Sequence, residues 1–154
     1  MRKVLSALFA GTLALALAAC GGSSSGSGSG SGTMSTDGFD TYAVTTIDGA
    51  SGETQTTITI NEGEAYVLAS NLESGTVTVI LKQNGEEVST DYEYEGYGVM
   101  EMEVSAGEYE IVFAAEDATG TIYALSYPTD QLDFMNPDSS TEDLFAEVEA
   151  YLAQ

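Results

Sequence analysis

The feature that most constrains this chain is a repeated alternation of apolar and polar residues in short segments. In residues 75–82, Val77, Val79 and Leu81 occupy every second position. Because successive side chains of a β-strand point to opposite faces, this period predicts a strand with one buried face. Similar segments, β-branched or alternating, occur at residues 41–47, 54–61, 64–70, 87–95, 99–104, 108–115 and 120–127.

The spacing of these segments predicts the fold class. About eight short strands at intervals near ten residues, with Gly, Asn and Asp between them, are typical of an all-β antiparallel sandwich. Asn84-Gly85 is the strongest hairpin signal in the chain. The residues predicted to face inward on the later strands are Val88, Thr90, Tyr92 and Tyr94, then Met100, Met102 and Val104, then Tyr109, Ile111 and Phe113.

The C-terminal region changes to a helical period. Residues 128–138 form a polar connector with Leu132 and Phe134 to hold it, and Ser140 and Asp143 have the spacing of a capping box. A helix of about a dozen residues is marginal by itself, so it needs a surface to pack on. Packing on the sandwich is the favoured interpretation, and docking on a separate partner is the alternative. The predicted apolar face consists of Leu144, Phe145, Val148, Tyr151 and Leu152.

The N-terminus has the pattern of a secretory leader. Arg2 and Lys3 precede an apolar run that ends at Ala19, too short for a comfortable membrane span. The run closes with Leu17-Ala18-Ala19-Cys20, which resembles the lipobox of bacterial lipoproteins. That resemblance implies cleavage before Cys20 and lipid on its sulfur. An ordinary signal peptide with a chance cysteine is the alternative, but Cys20 is the chain's only cysteine.

These patterns divide the chain into four parts. Residues 1–19 are the predicted lipoprotein signal peptide, and residues 20–36 are the lipidated Cys20 with a Gly/Ser-rich flexible linker. Residues 37–127 are the sandwich domain, and 128–154 are the connector and helix. The lipobox resemblance implies a lipid anchor in the cell membrane or outer membrane, with the domain facing outside the cytoplasm.

The charge of the chain excludes several partners. After the leader, Lys82 is the single basic residue against 25 acids, a formal charge of −24. Such a surface repels nucleic acid and anionic headgroups, and it favours a soluble monomer. It also attracts cations, and calcium prefers oxygen ligands. The chain has no Asp-x-Asp-x-Asp-Gly loop, however, so we predict a solvated acidic surface without a metal site or cofactor.

The residue inventory argues against catalysis. The chain has no histidine, so a serine nucleophile would lack its usual base. A carboxylate pair could hydrolyse a glycosidic bond in principle, but among 25 acids some pair is close by chance. We therefore predict a protein that is not an enzyme and rank a minimal glycosidase last.

A fold-level resemblance rests on three segments. They are Gly63-Glu64-Ala65-Tyr66, Gly75-Thr76-Val77, and Ser105-Ala106-Gly107-Glu108-Tyr109. Residues 64–127 are similar in these segments to small secreted jelly-roll sandwiches, such as pre-peptidase C-terminal domains and carbohydrate-binding modules. The resemblance implies a fold and transfers no active site.

One tyrosine cluster is the candidate ligand site. It consists of Tyr92, Tyr94 and Tyr97, and exposed tyrosines in a row could stack on a glycan or a protein partner. Alternation favours an inward position for the first two, while Tyr97, between two glycines, is expected in an exposed turn. We predict a non-catalytic binding module for a glycan or an envelope protein. The alternative is a structural or accessory envelope lipoprotein without a small-molecule ligand.

Overall fold

The computed structural model describes residues 24–25, 32–93, 95–129 and 138–154. The strands are β1 Ser24–Ser25, β2 Thr33–Gly38, β3 Tyr42–Ile60, β4 Glu64–Gln83, β5 Glu86–Glu93, β6 Gly96–Met102 and β7 Gly107–Pro128, and the helix is α1 Thr141–Leu152. The strand order is β1-β2-β3-β7-β4-β5, with β6 also on β4, and every pair of these strands is antiparallel. The predicted leader, Cys20, Tyr94, and the connector residues Leu132 and Phe134 lie outside the described residues.

The pairing of the three longest strands is interrupted at one level of the sheet. The pairing register shifts between Ile47 and Gly52 in β3 and between Leu72 and Thr76 in β4, both opposite the middle of β7. The two halves of these strands contribute to one shared core, so the sheet folds over on itself as a sandwich. The predicted all-β antiparallel sandwich is confirmed. Six of the eight predicted segments prove to be halves of three continuous, bent strands.

The bend depends on backbone conformations that few residues adopt. Gly75 has a φ of +74°, and a Cβ at this position would collide with the carbonyl oxygen of Asp117 on β7. On the other side of β7, the Ser51 hydroxyl donates to Asp117 Oδ1 at 3.0 Å and accepts from the Asp117 N–H at 2.8 Å. At the bend, Asp117 of β7 therefore contacts both neighbouring strands, β4 at Gly75 and β3 at Ser51.

The core between the two layers contains the predicted inward residues of β7. Tyr109, Ile111 and Phe113 are all buried, which confirms their assignment. The Tyr109 hydroxyl donates to the Ser105 carbonyl at 2.7 Å and so fixes the glycine turn before the strand. Met100, Met102 and Val104, also predicted to face inward, pack against this core as half-buried side chains.

Helix α1 covers the outer face of one layer. Its capping box is confirmed, since Ser140 and Asp143 bond reciprocally. Leu144, Phe145 and Val148 are buried, and with Tyr151 and Leu152 they pack on a second apolar cluster formed by β4 and β7. Residues 65–70 of β4 are consequently buried on both faces. The favoured interpretation, packing on the sandwich, is confirmed for this helix.

The N-terminal boundary of the folded domain differs from the predicted one. Residues 33–36 belong to β2, although they were assigned to the linker that ended at residue 36. Met34 is only 6% exposed, and the Thr36 and Thr45 hydroxyls lie 2.8 Å apart in a buried hydrogen bond. The linker assignment was wrong here because Met34 and Thr36 form a period-two pair within a Gly/Ser-rich stretch. Ser24–Ser25 also pairs with β2.

The hairpin between β4 and β5 has the predicted two-residue turn. Asn84 and Gly85 have φ values of 53° and 81°, as the primed hairpin turns require. Gln83 and Glu86 form the closing pair of the ladder.

Strand β5 contains a bulge that reverses the predicted inward face. The register with β4 shifts by one residue at Val88, which is 45% exposed. Beyond the bulge, Thr90 pairs with Ile80 and Tyr92 pairs with Thr78. Neither pairs with the buried residues of β4, which alternate with Ile80 and Thr78 along that strand. A one-residue shift exchanges the two faces of a strand. The inward assignment of Val88 is therefore wrong, and Thr90 and Tyr92 pair through their backbones with half-buried residues of β4.

Candidate binding surface

The predicted tyrosine cluster is divided between two strands. Tyr97 is 41% exposed but lies in β6, not in the expected turn, and its ring centroid is 5.2 Å from that of Phe145 on α1. The backbone of Tyr92 pairs with Thr78, whereas that of Tyr97 pairs with Asn71. The two tyrosines therefore lie opposite different halves of β4. The ligand-binding role assigned to Tyr92, Tyr94 and Tyr97 stays a prediction.

A different group of aromatic residues lies at one end of the outer face, and we call it the aromatic strip. It consists of Phe39, Tyr42, Tyr127 and Tyr151. The rings of Phe39 and Tyr42 stack with centroids 4.3 Å apart and 15° between their planes. The rings of Tyr127 and Tyr151 are 4.6 Å apart and tilted by 55°.

The sheet register joins these two ring pairs. Tyr42 is directly opposite Leu125, and Tyr127 follows two residues later on the same face of β7. Diagonal neighbours of this kind are within reach of aromatic side chains. Tyr42, Tyr127 and Tyr151 accordingly belong to the same apolar cluster beneath α1. The aromatic strip is thus built by the loop between β2 and β3, by β3 and β7, and by the last turn of the helix.

The exposed member of the aromatic strip is held in a tight loop. Phe39 is 48% exposed, and its N–H donates to the Tyr42 carbonyl at 2.8 Å. In the same loop, the Asp40 carbonyl accepts from the Thr59 N–H at 2.6 Å, and Asp40 Oδ1 accepts from the Thr59 hydroxyl at 3.3 Å. These bonds tie the loop to the far end of β3, and the Phe39 ring itself is held by its stacking on Tyr42.

A shallow groove adjoins the other end of the aromatic strip. Its volume is about 350 Å³, and its lining consists of Tyr127, Glu147, Ala150, Tyr151 and Gln154. Tyr127 is only 4% exposed and forms the floor, while Tyr151 is half-buried and forms a wall. Glu147 and Gln154 are exposed and supply a carboxylate and an amide at the rim.

The hydroxyls around this groove have raised pKa values. Burial, then the charge of Glu147, raises the pKa of Tyr127, and burial, then the charge of Glu64, raises that of Tyr151. On the same sheet face, burial and a 3.0 Å hydrogen bond to Glu149 raise the pKa of Tyr123 to about 12. These hydroxyls stay protonated near neutral pH, so they can donate hydrogen bonds and cannot act as bases there.

The carboxylate of Glu64, at the start of β4, is bonded to Ser126 on the neighbouring strand β7. Its Oε2 accepts from Asn61 Nδ2 at 2.9 Å and from the hydroxyl of Ser126. Asn61 in turn donates its backbone N–H to the same hydroxyl at 3.0 Å. Two donors, the side-chain amide of Asn61 and the hydroxyl of Ser126, therefore hold the Glu64 carboxylate in position.

Two kinds of feature are absent from the described residues. No group of three or more His, Cys, Asp or Glu side chains within them is placed to hold a metal ion. None of the helices in this part of the chain is long and apolar enough to cross a membrane.

Sequence patterns pointed to only part of the aromatic strip. Tyr151 was assigned to the apolar face of the helix, and Tyr42 and Tyr127 were placed in strands. Their proximity depends on the register of β3 with β7 and on where α1 docks, neither of which is visible in local periodicity. The only local hint was Phe39, an apolar residue between turn formers.

Comparisons with known proteins give likenesses of fold only. No family model and no curated protein matches the chain. Among solved structures, one described as "CBM4 structure and function" has a TM-score of 0.38 and 15% identity, covering 68% of this chain and 78% of its own. The Clostridium difficile EutQ protein has a TM-score of 0.30 and 19% identity, covering 65% and 71% respectively. Neither likeness bears on the aromatic strip.

Proposed function

We propose that this chain is a lipid-anchored, extracytoplasmic, non-catalytic module that binds a glycan through the aromatic strip. The observation that carries this proposal is the stacked pair of Phe39 and Tyr42, with Phe39 48% exposed in a hydrogen-bonded loop. A large aromatic ring that is already ordered loses little entropy when a ligand binds. The negative π face attracts the weakly positive C–H groups on the flat side of a sugar ring.

The polar rim supports the same ligand class. Sugar hydroxyls need donors and acceptors beside the stacking surface, because an unpaired hydroxyl is costly to desolvate. Glu147 offers acceptors, Gln154 offers both, and the protonated hydroxyl of Tyr151 offers a donor. A groove of about 350 Å³ is at the small end of ligand sites, which suits one or two sugar units of a longer chain.

The lack of catalysis and the lipid anchor rest on the sequence. No histidine is present, and raised pKa values make the nearby tyrosines poor bases. The leader ends at the chain's only cysteine, Cys20. Expression in a bacterial host with labelled palmitate tests the anchor: the wild-type chain should incorporate label into the membrane fraction, and a Cys20→Ala variant should not. Label in both would refute lipidation at this residue.

A glycan array tests the binding function. The chain from residue 20, with Cys20→Ser to prevent lipidation, contains every described residue. We expect it to bind a subset of glycans, and Phe39→Ala to weaken that binding about threefold to tenfold, the range of one aromatic contact. Val88→Ala is the matched control, because Val88 is a similarly exposed apolar residue on β5. Failure to bind any glycan, with an envelope protein co-purifying instead, would favour the accessory-lipoprotein alternative.

A further inference from the structure

The first strand of the fold limits where a lipid on Cys20 can lie. Strand β1 pairs with β2 so that Ser24 is opposite Thr36. Because the pair is antiparallel, the backbone of β1 read backwards from Ser24 points along β2 toward the loop that contains Phe39. Cys20 is four residues before Ser24. The anchored end of the chain therefore approaches the domain from the side of the Phe39 loop.

The length of chain before β1 sets how far this loop can be from the anchor. Four residues span at most about 14 Å when fully extended. Along β2, the loop at Phe39 is about 10 Å nearer to the anchored end than Thr36, the partner of Ser24. With β2 upright on a membrane, the loop therefore lies no more than about 4 Å above the level of Cys20.

The whole aromatic strip is at this end of the sandwich. Beside the loop, the Ser126 N–H donates to the Thr41 carbonyl at 2.8 Å, and Tyr127 follows Ser126 on β7. The ring of Tyr127 is in turn packed on that of Tyr151. The bend near Asp48 is at the other end, where it pairs with the start of β2. The short stretch before β1 and the aromatic strip thus share one end of the domain.

Charge decides which headgroups can approach this end. Asp37 and Asp40 flank Phe39 in sequence, and Glu62 is in the turn between β3 and β4. All three acids are exposed. These carboxylates repel anionic headgroups and leave uncharged sugar headgroups unopposed. The membrane component that suits this end is therefore a neutral sugar.

An anchor in the membrane of the ligand compensates for the small size of the site. A single hexose in contact with one exposed ring is expected to bind with a Kd near about 1 mM. A short tether holds two partners on one surface at an effective concentration on the order of millimolar. A site of this kind is therefore substantially occupied at the membrane and nearly empty in dilute solution.

We propose that the aromatic strip faces the membrane that holds Cys20 and binds the uncharged sugar headgroup of a lipid in that membrane. This inference rests on the proposed lipid anchor and glycan-binding function, and it specifies the ligand. One headgroup sugar stacks on Phe39, and a second enters the groove beside Tyr127 and Tyr151. The ligand is thus a neutral glycolipid rather than a saccharide in solution.

Single tryptophans test the orientation of the domain. The chain has no tryptophan and one cysteine, so a Trp variant of the chain from residue 20 has one emitter and one point of coupling to a maleimide lipid in phosphatidylcholine vesicles. Phe39→Trp keeps an aromatic ring, and Glu73→Trp, exposed at the bend, is the matched control. Nitroxide headgroups should quench the first at least about twofold more, because the two ends are roughly 20 Å apart. Equal quenching would overturn the orientation.

Two insertions into the Phe39→Trp protein test whether β1 sets this distance. Ten Gly/Ser residues between Gly22 and Ser23 lengthen the chain before β1 by up to about 33 Å and should reduce the quenching at least about twofold. The same insertion between Ser27 and Gly28 lengthens only the stretch that joins β1 to β2, and it should leave the quenching unchanged. Equal losses would overturn the role of β1, because both insertions lengthen the path to β2 by the same amount.

Amide hydrogen exchange tests the ligand on the chain with its native side chains. The protein coupled through Cys20 is compared in phosphatidylcholine vesicles with and without a neutral dihexosyl diacylglycerol, in separate glucosyl and galactosyl forms. One form should slow exchange in residues 39–42 at least about threefold, the factor reached when the local sugar concentration is twice the Kd. Exchange in residues 48–52, at the bend, should not change. No slowing with either glycolipid, or equal slowing in phosphatidylcholine alone, would overturn the proposed ligand.

Free dihexoses distinguish the membrane source from the wider glycan function. The chain from residue 20 with Cys20→Ser, in solution with the same amount of free dihexose, should show less than about twofold slowing, because the tether no longer raises the effective concentration. Slowing as strong as on the vesicles would overturn the membrane source and leave glycan binding standing. If the glycolipid vesicles show no slowing, the glycolipid proposal is refuted, and the array decides the glycan function independently.

Discussion

Gly75 and Gly63 provide a paired test of the fold. Both have positive φ values, +74° and +83°, which L side chains rarely adopt. A Cβ at Gly63 would meet nothing within 4 Å, whereas at Gly75 it would run into the backbone of Asp117 and Ala118 on β7. Substitution by alanine therefore tests conformation alone at one position, and conformation plus close strand approach at the other.

The two costs can be worked out separately. Placing alanine in the left-handed region costs about 1–2 kcal/mol, which is the whole expected effect of Gly63→Ala. At Gly75 the obstructing atoms are backbone, so the strands must move apart, and overpacking of this kind adds about 1–3 kcal/mol. The Gly75→Ala variant should thus lose about 2–5 kcal/mol, and the difference between the variants isolates the contact across the bend.

Urea unfolding, followed by circular dichroism, measures both free energies. We expect the same slope for both variants and a lower midpoint for Gly75→Ala. In thermal melts each kcal/mol should lower the Tm by about 3–6 °C for a domain of this size. Equal losses in the two variants would refute the close approach of β4 to β7 at Gly75, and with it the folded-over sheet.

Three further outcomes follow from individual contacts. Tyr123→Phe should cost about 1 kcal/mol near neutral pH through the lost bond to Glu149. In wild type the hydrogen bond of the neutral hydroxyl contributes fully to the free energy of unfolding below pH 10, and this contribution fades between pH 10 and about 12. Urea titrations across this pH range should therefore show a smaller fall in the free energy of unfolding for the variant than for wild type. Ser140→Ala should cost about 1 kcal/mol in the same assay, and no loss would contradict the cap. Met34→Ala should cost about 2 kcal/mol, while an unchanged midpoint would place the domain start after β2.

The architecture was predictable because alternation is a local property. Val77, Val79 and Leu81 are all buried, as their spacing predicts, and the capping box at Ser140 marks the helix start correctly. The continuity of the long strands was not predictable in the same way. Gly75 resembles a turn residue in sequence, and only the neighbouring strand shows that it bends a strand without ending it.

The register of β5 shows a second limit of pattern reasoning. Apolar and polar residues alternate through residues 87–95, and that alternation predicted an inward Val88. The bulge at Val88 shifts the pairing by one residue, which a pattern of period two cannot detect. The tyrosine cluster was inferred from the same stretch, and its ligand-binding role stays a prediction.

The position of α1 distinguishes one carboxylate from the many others on this acidic chain. Twenty-five acids spread over a surface identify no site, because any one of them is explained by solvation. Docked as it is, the helix brings Glu147 to the groove where Tyr127 of β7 and Tyr151 of its own last turn lie together. Glu147 therefore shares the groove with Tyr127 and Tyr151, where its carboxylate oxygens can accept hydrogen bonds from the hydroxyls of a ligand.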